Sequence, residues 1–253
     1  MRKPLVAAFA LALFAIVHPG STDSAAAQSM RLEPLGADEI YQASGNEPFW
    51  SATIQGEAIR FEHAGAIEVS GSYADPVRSA GTTAYIGRIE QRSGDMVENY
   101  PTGLPLIVLV EDRPCADSMA GTPYPNTVRI VVANNLFSGC GGNAADALAG
   151  AEWTVTRLTD TPVSGDPAMT IVFNRDGSAA GSGGCNRFGT RYEMDDGFGF
   201  GPVMSTRRGC PGAVGENEQR FFTAMRDVIG IDLNEDGSIT LYSEHGPVIT
   251  LDR

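Results

Sequence analysis

Lysine is nearly missing from this chain: 253 residues contain one, Lys3, and all other Lys/Arg positions are arginine. A Schiff-base amine or a phosphate-loop lysine is therefore excluded from the body of the protein. Histidine is scarce as well, at three residues. No cysteines show the C-x₂₋₄-C spacing of a zinc knuckle, and no G-x-S-x-G nucleophile elbow occurs. No apolar run reaches the roughly 20 residues that span a bilayer. Basic clusters are absent from a chain of formal charge −13. Phosphate backbones and anionic membrane surfaces are repelled by such a balance, so no nucleic acid partner is expected.

What is present begins with a tripartite N-terminus. Arg2 and Lys3 precede an apolar run from Leu5 to Val17, and small residues follow at Ala25–Ala27. This pattern predicts a signal peptide over 1–27, cleaved after Ala27, and no transmembrane segment thereafter. Cleavage leaves 16 basic and 30 acidic side chains, a formal −14. The expected localisation is periplasmic or secreted.

Glycine is abundant, at 30 residues, and most of the chain reads as short strands between turn signals. "FWSATIQGEAIRFEH" (49–63) alternates polar and apolar residues around a glycine, as a hairpin does. Further strands are expected in 82–90, 104–112 and 126–140. "MTIVFNRDGSAAGSGGC" (169–185) and "GIDLNEDGSITLYSEHGPVITLDR" (230–253) each place an Asp-Gly turn between strands. One segment differs. "GENEQRFFTAMRDVIG" (215–230) spaces Phe221, Phe222, Met225, Val228 and Ile229 as one helical face, with Gly230 as its stop. The fold class expected is mainly β: two small β-barrel-like or sandwich domains, the second carrying one packed amphipathic helix. The boundary falls in 138–153, separating a domain at 40–142 from one at 148–253.

The four cysteines divide between these halves as Cys115/Cys140 and Cys185/Cys210. In an exported protein an even number of cysteines is read as disulfides, each worth about 3 kcal/mol for loops of this size. Free thiols, catalysis and metal binding are the weaker alternatives. "DLNEDGSITLYSE" resembles a calcium loop, but the twelfth position is Ser243 rather than glutamate, so a β-turn is expected. "GSGGC" and "GFGFGP" lack a lysine and read as turns. Glu47, Glu152 and Asp195/Asp196 could in principle form an acid/base pair, although nothing in the sequence places any two together.

"WTVTRL", "MTIVFNRDGSAAGSGGCNRFGTRYE", "FGFGPVMSTRRGCP" and "ENEQRFFTAM" resemble the META domain, the HslJ-like heat-shock family of bacterial envelope proteins, over about 148–253. The resemblance implies a small β-barrel-like sheet with one packed helix, and no established reaction. "GNEPFW" (45–50) and "CADSMAGTPYPNTVRIVVANNLFSGC" (115–140) resemble an uncharacterised family of exported bacterial domains. Its members usually carry Cys-Ser-Asp-Gly-Met-Ser where this chain has Cys115 to Ala120.

Within the META-like half, Asn186, Arg187, Thr206 and Arg207 flank the cysteines and are candidate binding residues. Their competing role is to satisfy turns. Glu47 and Trp50 have the same ambiguity, with Trp50 expected in the core. The function expected is a non-catalytic exported envelope protein in binding or stress protection. It would hold a lipid or other small apolar ligand, with no cofactor and no metal. The alternative is a protein-binding module, an inhibitor or assembly helper of an envelope enzyme. A carboxylate hydrolase ranks third.

Overall fold

The computed structural model describes residues 30–31, 36, 38–65, 67–95, 97–163, 165, 167–194 and 197–253. The expected signal segment 1–27 and the Asp195/Asp196 pair lie outside the described residues. Two large antiparallel sheets account for the fold. No described helix is long and apolar enough to cross a membrane.

The first sheet has eleven strands. Its centre runs from Thr82–Arg88 through Pro105–Glu111, Asn126–Val132, Asn135–Gly141, Ile40–Asn46 and Phe49–Gln55 to Ala58–His63 and Ile67–Ser72. Period-two alternation decides which face each residue takes. Trp50, Ala52 and Ile54 point inward from one strand, and Leu106, Val108 and Val110 from another. Each large side chain taken fully from water contributes about 1.5–3 kcal/mol.

This sheet curls until Ile67–Ser72 comes back beside Thr82–Arg88. There Ile67–Ser72 pairs with Gln91–Gly94, the short strand that follows Thr82–Arg88. Thr82–Arg88 itself is met only by the isolated bridge Tyr73–Gly87, with a Glu90 N–H donating to Ser70 O at 2.8 Å between the two. Among the described residues no continuous ladder joins Ile67–Ser72 to Thr82–Arg88, so the architecture is sandwich-like rather than a closed barrel. Gly87 makes the meeting sterically feasible, since a Cβ there would lie 2.3 Å from the Ser72 carbonyl oxygen.

Between the sheets, Asn135–Gly141 carries the first sheet well into the expected boundary segment. A five-residue helix, Ala144–Leu148, then follows, with the Asn143 side chain accepting from the Ala145 N–H at 2.9 Å. This is an ordinary Asx N-cap.

The second sheet contains Arg187–Glu193, Ser178–Gly183, Met169–Phe173, Glu152–Leu158, Gly246–Asp252, Ile239–Ser243 and Gly230–Leu233 as consecutive neighbours. The segment resembling a calcium loop is a hairpin here, as its turn chemistry predicts. The helix Ala213–Asp227 packs on this sheet through Phe221, Ala224 and Met225. Phe188 on the sheet meets both Phe221 and Phe222 at 5.6 Å.

The helix departs from its predicted end. It stops at Asp227, and Val228 is already extended at φ −69° and ψ 129°. Strand alternation then places Val228 inward and leaves Ile229 61% exposed, so Ile229 is not on the apolar helical face. Gly230 opens the next strand instead of ending the helix.

The two Asp-Gly hairpins of this sheet are built alike. Asn174 and Asn234 each donate a side-chain N–H to the hydroxyl four residues on, Ser178 at 3.0 Å and Ser238 at 2.8 Å. Asp176 and Asp236 each accept from the backbone N–H and hydroxyl of that serine. The serine bonds hold both carboxyls below the ordinary aspartate value. The same five-residue pattern, Asn-x-Asp-Gly-Ser, thus yields the same turn twice.

Candidate functional site

The strand Ser178–Gly183 reverses through Gly184, Cys185 and Asn186 into Arg187–Glu193. Gly183 N–H donates to Asn186 O at 2.8 Å, closing the turn. Gly183 must be glycine for a packing reason: a Cβ would lie 2.7 Å from Glu218 Oε1 and 2.8 Å from Phe222 Cζ. Its absence lets the helix carry Glu218 against the turn.

Asn186 is the centre of what results. Its backbone N–H donates to Glu218 Oε1 at 2.6 Å and its Nδ2 to Glu218 Oε2 at 2.7 Å. Nδ2 also donates to Arg208 O at 3.2 Å. Its Oδ1 accepts from Thr206 Oγ1 at 2.8 Å and from the Arg208 N–H at 2.7 Å. The two segments so joined also bring Cys185 and Cys210 to disulfide distance, with Cα atoms 6.2 Å apart. Arg208 adds a bond from Nη2 to Cys185 O at 3.0 Å.

The four candidate binding residues of this half therefore separate. Asn186 is buried, and the hydroxyl of Thr206 is used on Asn186 and on the Arg187 N–H. Arg187 and Arg207 are exposed and form no ion pair among the described residues. Two participants, Glu218 and Arg208, were not anticipated. Glu218 had a signal: it sits three residues before Phe221 and seven before Met225, an acid inside an apolar stripe.

Beside the turn lies a cleft of about 340 Å³. Val155, Val163, Met169 and Val214 supply apolar walls, Thr154 and Asn217 polar edges, and Gly183 and Gly184 its floor near the disulfide. A larger, open cleft of about 1030 Å³ lies between the two sheets, bordered by Tyr41, Asn126, Asp146, Arg175 and Tyr192. Its groups are already engaged. Asp146 pairs with Arg175, and the Tyr41 hydroxyl donates to Asn126 Oδ1 at 3.2 Å. Burial foremost, then Tyr85 and Asp112, push the Tyr41 phenol far up, so it stays neutral.

In the first sheet, Trp50 is core: it stacks on Phe61 at 6.1 Å and donates Nε1–H to Ser138 O at 3.2 Å. Glu47 is exposed, and its neighbour Phe49 is 58% exposed. Asn46 Nδ2 donates to Asp117 Oδ2 at 2.8 Å and to Ser118 Oγ at 3.2 Å. Cys115 and Cys140 are also at disulfide distance, with Cα atoms 5.5 Å apart. Glu47, in the turn between two strands of the first sheet, and Glu152, on a strand of the second, belong to different sheets, and neither lines either cleft described above.

No curated protein matches the chain. Two solved structures are similar to it. One is an NMR structure of a protein from Burkholderia xenovorans, 23% identical, covering 44% of this chain and 86% of that one, with a TM-score of 0.37. The other is also an NMR structure, 19% identical, covering 43% of this chain and 92% of that one, with a TM-score of 0.37. The segment that contains the second sheet, its helix and the Asn186 turn, residues 146–253, matches the family model of the META domain.

Proposed function

We propose that this is an exported, non-catalytic binding protein of the cell envelope, divided into domains at 40–142 and 148–253. Its ligand is a lipid or another small apolar molecule, held in the cleft of the second domain in a stress-protection role. The cleft beside the Cys185–Cys210 turn carries this reading. Its volume of about 340 Å³ falls in the range of small-molecule sites, roughly 300–1,000 Å³. Its walls are aliphatic, its few polar groups lie at the edge, and a crosslinked turn keeps one side rigid. Two disulfide-distance cysteine pairs fit an oxidising compartment. The first domain belongs, in this proposal, with the exported domains bearing the GNEPFW motif.

The test is native mass spectrometry of the protein taken from its own envelope, beside Ala168→Trp. Ala168 is exposed at the cleft, so the larger ring should fill the mouth without disturbing the core. A bound apolar small molecule in the parent, lost in Ala168→Trp at unchanged melting temperature, is the expected result. Equal loads in both proteins would sink the proposal.

A protein-binding module is the second reading, and one observation favours it. Arg187 and Arg207 are exposed and form no ion pair among the described residues of a strongly acidic chain, and Met204 nearby is 75% exposed. An acidic partner patch would suit that surface.

A further inference from the structure

Glu218 is only 7% exposed, and its carboxylate is met by neutral donors alone, both from Asn186. No arginine forms an ion pair with it among the described residues. Buried charges are ordinarily paired or hold metals. The atoms beside this one are sulfurs: Cys185 Sγ, Cys210 Sγ and a Glu218 oxygen lie within 4.8 Å of one another. It is the only such group of potential metal ligands among the described residues.

We propose that, once its disulfide is reduced, the second domain binds a zinc ion through Cys185 Sγ, Cys210 Sγ and the Glu218 carboxylate, with water in the fourth place. Zinc prefers this kind of set, with Zn–S near 2.3 Å and Zn–O near 2.0–2.2 Å. On a tetrahedral ion such atoms sit roughly 3.5 Å apart, by the geometry of those bond lengths. Only a modest closure by Glu218 and a separation of the two sulfurs are needed. Asn186 then acts behind the ligands. Its two N–H bonds orient the carboxylate, and its Nδ2 lies 3.5 Å from Cys210 Sγ.

The chemistry balances with an external dithiol as reductant. Its thiolate attacks one sulfur of Cys185–Cys210, and its second thiolate resolves the mixed disulfide. The dithiol leaves oxidised and both cysteines become thiols. Zinc entry then displaces two protons to solvent. A dication replaces two protons, so the buried net charge of the site stays at that of the carboxylate alone. The spacing of 25 residues between the cysteines hides this set from any short-motif search.

The first domain supplies an internal control. Cys115 Sγ is near the Gly139 carbonyl at 3.4 Å, and no carboxylate joins that pair among the described residues. The test is cobalt(II) titration of the dithiol-reduced full chain, followed by zinc competition. One cobalt per chain should bind, with the charge-transfer absorption of a thiolate complex, and zinc should displace it. Serine at both Cys115 and Cys140 should leave that absorption intact. Serine at both Cys185 and Cys210 should abolish it, and the air-oxidised chain should lack it. Glu218→Gln should weaken binding at least ~10-fold, the lower end for groups that tune a metal site.

If Glu218→Gln fails to fold, Cys185→Ser alone serves, since it should halve the absorption per bound cobalt. Undiminished affinity in Glu218→Gln, or full absorption in Cys185→Ser, overturns the proposal. So does a reduced chain that loses the near-ultraviolet signal of its folded tryptophans, because the site requires the turn and helix to stay docked.

Discussion

Asn46 and Asp117, 71 residues apart, are joined by a 2.8 Å hydrogen bond from amide to carboxylate. The other oxygen of Asp117 accepts from the Met119 and Ala120 N–H groups at 2.9 and 2.8 Å. The GNEPFW stretch and the tract after Cys115 are thus one structural unit, in which the loop is organised by a single carboxylate.

That carboxylate makes the unit sensitive to acid. Partial burial raises the Asp117 pKa, but bonds from Ala120, Asn46 and Met119 outweigh it and hold the group below its ordinary 3.8. A depressed folded pKa means stability present above the unfolded value and lost as pH falls through the folded one. Asp117→Ala should therefore lower the first-domain melting temperature at pH 7, and the gap from the parent should narrow below pH ~4. Thermal melts at pH 7 and pH 3 decide it; a gap independent of pH would assign the loss to packing.

Asn186 and its arginine neighbours should separate sharply on substitution. Asn186→Ala keeps the backbone N–H on Glu218 but removes the Nδ2 donor from its buried carboxylate and the Oδ1 acceptor of Thr206 and the Arg208 N–H, and should cost about 3 kcal/mol. Arg187→Ala and Arg207→Ala should stay within about 0.5 kcal/mol of the parent, as exposed side chains usually do. Urea unfolding of the three variants checks this. Equal losses at all three would mean that the arginines support the turn as well.

On the proposed division at 40–142 and 148–253, each crosslink should act on its own domain. Replacing Cys185 and Cys210 together by serine should destabilise the second domain by about 3 kcal/mol. The first-domain transition should then move little, because mutations far apart add independently. Replacing Cys115 and Cys140 should do the reverse. Calorimetry of both variants reads the two transitions, and a joint shift would show that the domains unfold as one.

The twin turns offer a matched pair. Asn174→Ala and Asn234→Ala each remove a side-chain bond to a serine hydroxyl, worth about 1 kcal/mol net. Asn234 also donates to Thr240 Oγ1 at 2.9 Å, so its loss should be the larger of the two. Chemical denaturation should give that order; the opposite order would make the Asn174 turn the more constrained one.

The strands and the helix were legible because period two and period 3.6 leave plain marks. Trp50, Ala52 and Ile54 alternate, and Phe221 and Met225 fall one turn apart. Turn chemistry was legible for the same local reason. Long-range closure was not. Nothing near Gly87 announces that Ser72 will pass 2.3 Å from its missing Cβ. Nor does anything near Asn186 announce Glu218, 32 residues on. Helix periodicity also carried the helical face two residues too far, to Ile229, because it cannot register that the chain has turned extended at Val228.

The outer strand of the second sheet, Gly230–Leu233, has a neighbour on one side only. On its other side Leu233 N–H donates to Gly121 O at 3.3 Å, and Gly121 has no Cβ to strike Asp232. The loop after Cys115 therefore shields a strand edge that would otherwise invite pairing between copies. A fragment that begins at residue 148, the proposed start of the second domain, would uncover it. Such a fragment should be the more prone of the two forms to self-associate, and the intact chain is chaperoned against this by its own first half.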